Sequence, residues 1–251
     1  MDLKLEGHRV IVTAGASGIG LEIAKAFRDE GAHVWTCDIQ TSSERGIRSG
    51  QCDVSNRNQV GDFFEAAVSD LGGLDCLVNN AGIAGPTSKI EDMDPADWDQ
   101  TLAICLTGQF NFARLAMPRL RQSANPSMAN LSSLAGRVGF AQRTPYAAAK
   151  WGVIGLTKSL AIEGGLDGVR VNAILPGLVA GDRQKRVLSA KAEAKGISYE
   201  AMEAEAFSYT SIKDYVEPSQ IADQIVYLAS YRARTISGQA ISVCGDTGML
   251  A

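Results

Sequence analysis

Short runs of β-branched and apolar residues, bounded by Gly, Asp, Asn or Pro, alternate along this chain with stretches whose apolar positions recur at helical spacing. Arg9-Val10-Ile11-Val12-Thr13-Ala14 is the first such run, and Leu21, Ile23, Ala24 and Phe27 form the apolar stripe of the stretch behind it. Further strands are expected near 33–38, 50–53, 74–78, 127–131, 169–175 and 239–243, with the longest helices near 96–120 and 145–163. Strand and helix in alternation imply parallel strands and right-handed crossovers, with each helix covering one sheet face. A doubly wound seven-stranded sheet is then the economical topology. A chain of 251 residues with 45% hydrophobic content can bury one substantial α/β core, so residues 1–251 are assigned to a single domain. One stretch breaks the alternation. Residues 182–216 are rich in Ala, Glu and Lys between Arg183 and Phe207, which favours one or two short helices. Segments this long in compact domains work as lids. A substrate lid is therefore expected at about 182–216, its charged residues solvated, with Met202, Phe207 and Tyr209 either turned inward to exclude water or packed on the body.

The chemistry begins where the first strand ends. Gly15-Ala16-Ser17-Gly18-Ile19-Gly20 falls at a strand-to-helix turn, where main-chain amides and a helix N-terminus can face a pyrophosphate and glycine permits the close approach. The second strand, His33 to Cys37, ends in Asp38. A carboxylate there can accept hydrogen bonds from ribose hydroxyls and repels a 2′-phosphate. No Lys or Arg lies between Thr13 and Gly20, so NAD is expected over NADP. In Thr144-Pro145-Tyr146-Ala147-Ala148-Ala149-Lys150 a phenol and an ammonium share one helix face. The ammonium should pull the Tyr146 pKa down from about 10 towards neutrality, where the phenol can exchange a proton with an alcohol. The same spacing also arises by chance in helices with an exposed Tyr and an exposed Lys, and the other motifs decide between the two.

Those motifs together resemble the short-chain dehydrogenase/reductases over nearly the whole chain. Thr13-Ala14-Gly15-Ala16-Ser17-Gly18-Ile19-Gly20 is similar to the family's Thr-Gly-x-x-x-Gly-x-Gly, with Ala14 for the first glycine, a mild departure if Ala14 has negative φ. Asn79-Asn80-Ala81-Gly82 matches its Asn-Asn-Ala-Gly, Asp53-Val54 its adenine-contacting pair, and Pro176-Gly177-Leu178-Val179 its nicotinamide-cradling segment. Ser133 precedes Tyr146 by thirteen residues, as the family's catalytic serine does. The resemblance implies a Rossmann-type fold and an NAD-dependent oxidoreductase interconverting a secondary alcohol and a ketone, with Ser133, Tyr146 and Lys150 as catalytic residues. It implies cofactor contacts at Gly15, Ser17, Gly18, Ile19, Gly20, Asp38, Asp53, Val54, Asn80, Ala81, Gly82, Tyr146, Lys150, Pro176, Gly177 and Val179. In that scheme Tyr146 as phenolate removes the hydroxyl proton while hydride passes to the nicotinamide, Lys150 favours the phenolate and bonds the nicotinamide ribose, and Ser133 fixes the substrate oxygen. Ser132 is read as structural. The family pairs the outer faces of its two longest helices, which implies a homo-oligomer, a homotetramer or dimer; Gly152, Gly155 and Ala161 would allow close approach or pack within the subunit.

Three departures touch the site. Cys105 stands where the family has an asparagine beside a helix kink and is read as a small buried hydrophobe. Gly181 replaces a threonine that bonds the carboxamide, and Cys244-Gly245-Asp246 replaces Asp-Gly-Gly. Gln142 and Arg143 border the expected pocket, where Arg143 either binds a carboxylate or polyol or forms an exposed salt bridge. The substrate stays open among sugars, hydroxy acids, cyclic alcohols and aromatic carbinols. Composition narrows the setting. No apolar run of about eighteen residues is present, and the first residues carry no apolar signal core, so a cytoplasmic protein without membrane partners is expected. Five cysteines without metal-ligand spacing suit reduced thiols and give no metal site. A net charge of −4 offers no footprint for nucleic acid. Alternatives are an NADP-dependent carbonyl reductase and a weakly catalytic NAD-binding sensor or assembly protein.

Overall fold

The structure is a computed structural model that describes residues 2–248. Its strands are β1 (Arg9–Thr13), β2 (His33–Asp38), β3 (Ile47–Gln51), β4 (Cys76–Asn79), β5 (Ser127–Leu131), β6 (Arg170–Pro176) and β7 (Ala240–Val243). They form one parallel sheet in the order β3-β2-β1-β4-β5-β6-β7. The helices are α1 (Gly18–Asp29), α2 (Arg57–Leu71), α3 (Pro95–Leu102), α4 (Gly108–Leu120), α5 (Thr144–Gly165), α6 (Asp182–Lys195), α7 (Tyr199–Ser208) and α8 (Pro218–Ala229). The period of two along β1 explains the layering. Val10 and Val12 pack with Ile23 and Phe27 of α1 and Ile221 and Ile225 of α8. Ile11 between them joins Phe63 and Phe64 of α2 and Phe112 of α4 on the other face. Both faces are thus dry, which is why these strands read as continuous apolar runs. Among the described residues no helix is long and apolar enough to cross a membrane.

The order reverses at β1 and β4, so the crevice outside their carboxyl ends is the natural ligand position of a doubly wound sheet. Three elements differ from the sequence expectation. β3 starts at Ile47 rather than near residue 50, because Val34 pairs with Ile47 and Asp38 with Gln51. Asp53 and Val54 therefore lie beyond the strand. The expected helix 96–120 is three pieces, with a π-helical turn, Ala103–Thr107, between α3 and α4. In the 182–216 segment α6 and α7 pack on each other through Leu188, Ala192 and Met202, a small core of their own. Met202 is thus a packing residue of that pair. Phe207 meets Tyr215 edge-on, ring centroids 4.9 Å apart, and Tyr209 is exposed. A parallel bridge between Val179 and Val216 closes the segment at its base.

The other end of the sheet is pinned by Asp75. Its carboxylate accepts from the Arg9 main-chain N–H at 3.0 Å, from the Arg9 guanidinium at 2.8 and 2.7 Å, and from the Ser123 hydroxyl. Burial pushes this carboxyl upward, but the bonds from Arg9 and Ser123 outweigh it and hold it at about 2, against an ordinary 3.8. A depressed folded value stabilises the protein above the unfolded value, and that contribution, about 2 kcal/mol, is lost as pH falls from about 4 through about 2. Asp75→Asn is expected to lower stability by about 2 kcal/mol near neutral pH and to flatten the loss across that acid window. Urea denaturation at a series of pH values measures both, and an identical acid slope in parent and variant would exclude Asp75 as its source.

Candidate active site

At the carboxyl end of β1 the chain turns through Ala14 with φ +52, in the left-handed region. The replacement of the family glycine is therefore not mild, since a β-carbon there costs about 1–2 kcal/mol. The glycines that follow answer to different constraints. A β-carbon on Gly15 would stand 2.5 Å from Thr36 Cγ2, and one on Gly20 would strike the Ala14 carbonyl, so both are required by packing inside the protein. Gly18 has φ +54 and open space beyond it. The turn is held by Thr13, whose hydroxyl oxygen accepts from the N–H groups of Asn80 (2.9 Å) and Ala81 (3.0 Å). Asn80 Nδ2 donates to the carbonyls of Thr13 and Ala14, at 3.0 and 3.1 Å. Ser17 caps α1 without using its side chain on the helix, and Asp38 Oδ2 accepts the Ala16 N–H at 3.1 Å. Space at Gly18, uncapped first-turn amides and a carboxylate on the turn fit the pyrophosphate and ribose of a dinucleotide.

The remaining expected cofactor residues rim the same end of the sheet. Asp53 Oδ1 accepts from the Ser55 N–H (2.9 Å) and hydroxyl (2.7 Å), and Val54 is buried against Gly108, where a β-carbon would come within 2.7 Å of it. Gly177 donates its N–H to the Val243 carbonyl at 2.9 Å just after Pro176 ends β6, and Val179 pairs with Val216.

α5 carries Tyr146 and Lys150, the expected acid–base pair. Lys150 is buried, its Nζ donating to the Leu131 carbonyl at 2.7 Å and lying 5.7 Å from the centre of the Tyr146 ring. Ser133 Oγ caps the short 3-10 turn Leu134–Gly136, accepting the Ala135 N–H at 3.2 Å. Burial opposes ionisation of the Tyr146 phenol, but the charges of Lys150 and Arg183 and a hydrogen bond with Ser133 together outweigh it, leaving its pKa below the ordinary 10. Ser132 is buried and donates to the Lys150 main-chain carbonyl at 2.7 Å, a structural position. Cys105 sits in the π turn, fully buried, its sulfur accepting the Ile83 N–H at 3.3 Å, so a thiol occupies the kink without exposing itself. Gly181 begins α6 with φ +128.

Sequence reasoning missed part of this site. Among the described residues Arg143 forms no salt bridge. It is buried, stacks 4.9 Å over the Tyr146 ring and donates to the Ala84 carbonyl. Arg183 is exposed, as expected of the charged residues of this segment, yet donates to the Gly82 carbonyl at 3.1 Å, and Lys191, half-buried, lies 4.3 Å from the centre of the Phe140 ring. Only the spacing of Arg143 from Tyr146 hinted at any of this.

A family model described as enoyl-(acyl carrier protein) reductase matches residues 13–249. The chain belongs to the short-chain dehydrogenase/reductase family. D-beta-hydroxybutyrate dehydrogenase of Cupriavidus necator is 36% identical over 247 residues, covering 93% of this chain and 95% of that one. Among solved structures, ligand-free aldohexose dehydrogenase of Thermoplasma acidophilum superposes with a TM-score of 0.90 at 29% identity, over 98% of this chain and 95% of that one. A single-residue variant of actinorhodin polyketide ketoreductase with NADPH does so at 0.87 and 29%, over 95% and 96%. As a member of this family the chain is an oxidoreductase of alcohols and ketones that uses a nicotinamide cofactor.

The strained residue in the turn yields a stability prediction. Ala14→Gly removes the left-handed penalty while adding freedom to the unfolded chain, so a net gain of about 0.5–1 kcal/mol is expected. Denaturant midpoints measure it, and an unchanged or lower midpoint would mean that the surrounding turn accommodates the methyl group without strain.

Proposed function

We propose that this chain is an NAD-dependent dehydrogenase interconverting a secondary alcohol and a ketone, with Ser133, Tyr146 and Lys150 as its catalytic residues. The observation that carries the reading is the Tyr146 phenol, whose ionisation is favoured by the buried Lys150 ammonium at the open end of the sheet. In oxidation Tyr146 as phenolate takes the hydroxyl proton of the substrate, and in reduction it returns one. The Lys150 charge favours the phenolate and lowers its pKa from the ordinary 10. Ser133 bonds the substrate oxygen and holds it at Tyr146. The bound nicotinamide supplies the hydride acceptor or donor. Asp38 on the glycine turn, together with the absence of Lys and Arg between Thr13 and Gly20, supports NAD over NADP. We assign the whole chain to one domain in which α6 and α7 form the lid.

An oligomer belongs to the same proposal. Phe110 of α4 and Trp151 and Ile162 of α5 are exposed apolar side chains on the outer faces of these helices. Of Gly152, Gly155 and Ala161 on α5, Gly155 is open, whereas Gly152 abuts Leu106 and Ala161 lies beside Gly238 within the chain. A monomer would leave these large side chains in water.

Tyr146→Phe removes the proton carrier and keeps the ring, so cofactor binding should persist while turnover falls by about 10²–10⁴-fold or more. In the parent, oxidation should rise with pH as the phenol ionises, with an inflection below 10. Near-full activity in the variant would reject the assignment. The cofactor choice has its own test. A 2′-phosphate beside Asp38 meets a like charge and forfeits carboxylate–hydroxyl bonds, a penalty of ~2–4 kcal/mol. NAD should therefore be preferred by ~30- to 1,000-fold in kcat/KM. Asp38→Ser should narrow that gap, and a preference that does not move would place the ribose elsewhere.

A further inference from the structure

Arg143 is a buried cation in want of an anion. Its side chain is 3% exposed at the start of α5, and among the described residues no carboxylate lies within salt-bridge distance of it. One Nη donates to the Ala84 carbonyl, Nε has no partner, and the guanidinium lies 4.9 Å from the centre of the Tyr146 ring and 5.8 Å from that of Phe140. A guanidinium carries five donors, and one carbonyl and two ring faces leave most of them unanswered. Removing such a charge from water without a counter-ion costs several kcal/mol. The segment is also strained, since the preceding Gln142 holds φ +63, a conformation that persists at functional sites when surrounding structure enforces it. Two further cations converge from α6: Lys191, 4.3 Å from the centre of the Phe140 ring, and Arg183, on the Gly82 carbonyl. Neither has a carboxylate partner among the described residues.

We propose that the alcohol oxidised here carries a carboxylate, which Arg143 takes in its guanidinium fork while Lys191 and Arg183 draw it in. This rests on the reading of Tyr146 as the proton carrier. With the carbinol oxygen at Tyr146 and the carboxylate at Arg143, the N-cap residue of α5 whose guanidinium lies 4.9 Å from the centre of the Tyr146 ring, the two groups must lie within a few bonds of each other. Short hydroxy acids meet that demand, and Arg is suited to the planar, two-oxygen acceptor they offer. Neutral sugars, polyols and cyclic alcohols leave the buried charge unanswered.

The test compares short 2-hydroxy and 3-hydroxy acids with their amides, and with the corresponding sulfonates and phosphate esters, by kcat/KM with NAD. Calorimetry on the NADH-loaded protein measures binding of malonate and of malonamide in parallel. The parent should favour acid over amide by ~10- to 100-fold, the value of a charge-assisted bond. That ratio should collapse to within a few-fold in Arg143→Gln and narrow in Lys191→Gln, while Arg143→Lys retains part of it; the last two also serve if Arg143→Gln does not fold. An amide handled as well as its acid, an unchanged ratio in Arg143→Gln, or a preference for phosphate esters overturns the proposal. So does an equal loss with acid and amide accompanied by a move of the pH profile to higher pH, which would put Arg143 on the phenolate instead. Oxidation of neutral alcohols alone would sink this inference and leave the dehydrogenase reading intact. Malonate binding that depends on Arg143, without turnover of any alcohol, would leave the carboxylate site standing and overturn both the dehydrogenase reading and the claim that the bound acid is oxidised.

Discussion

The buried Lys150 ammonium is the constraint that the rest of the site obeys. A charge removed from water must keep its partners, and this one donates to the carbonyl of Leu131, the last residue of β5. The same carbonyl accepts from Gln109 Nε2 at 3.0 Å, so a single oxygen ties β5 to α4 and α5. Around it runs a dry polar ladder: Asn79 Nδ2 to Asn130 Oδ1 at 2.9 Å, Asn130 Nδ2 to Thr157 Oγ1 at 3.0 Å, and Ser132 to the Lys150 carbonyl. Apolar contacts alone would let α5 slide on the sheet. The rungs that reach α5, at Thr157 and at the Lys150 carbonyl, would lose their partners in such a slide, and an unpaired buried polar group is expensive, so α5 has one register. Tyr146, one turn before Lys150, is placed by that register.

The glycine turn obeys a different rule. Its glycines are usually read as clearance for a phosphate, yet Gly15 and Gly20 are glycines because Thr36 and Ala14 occupy the space a methyl group would need. Packing the turn this tightly against β2 and Asn80 commits the Gly15 and Ala16 amides to Cys37 and Asp38 and leaves the first turn of α1 without a side-chain cap, its outer side open at Gly18. The binding surface is a by-product of internal close packing. That also explains why Ala14 is tolerated in a left-handed conformation: Asn80 Nδ2 holds the Thr13 and Ala14 carbonyls on either side of it, so the strain has nowhere to relax.

How much of this was legible in the sequence depended on whether a feature was local. Strands β1, β2 and β4 to β7 are apolar runs between turn residues and could be placed within a few residues. β3 is an edge strand reading Ile47-Arg48-Ser49-Gly50-Gln51, with one buried side chain in five, and nothing in its pattern separates it from a loop. The π turn at 103–107 leaves no mark on hydrophobic periodicity, because one inserted residue is absorbed within a single turn. Ser133, Tyr146 and Lys150 could be picked out by spacing, whereas the Leu131 carbonyl that anchors Lys150 has no sequence signal at all. Arg143 was visible as a residue but its burial was not, since Ala84 and Phe140 reach it from distant or turned segments. Lys191 and Arg183 lie in a stretch whose composition matches an ordinary solvated helix, and only the fold of α6 against the site distinguishes them.

The two ends of the crevice carry opposite electrostatics, and each makes the other workable. At the turn the chain presents main-chain dipoles and a carboxylate and no cation, because aligned amides at a helix N-terminus suffice for a pyrophosphate. Its cations are thereby free to gather at the other end, around Tyr146. There they serve two purposes at once, since Lys150 and Arg183 favour ionisation of the phenol while the Arg143 guanidinium has no carboxylate partner among the described residues and its Nε no hydrogen bond. On a chain whose net charge is −4, such a cluster is a local exception, and low-dielectric walls concentrate its field within the crevice rather than spreading it over the surface. An anionic substrate group thus meets at this end of the crevice a positive charge that the net charge of the chain does not foreshadow.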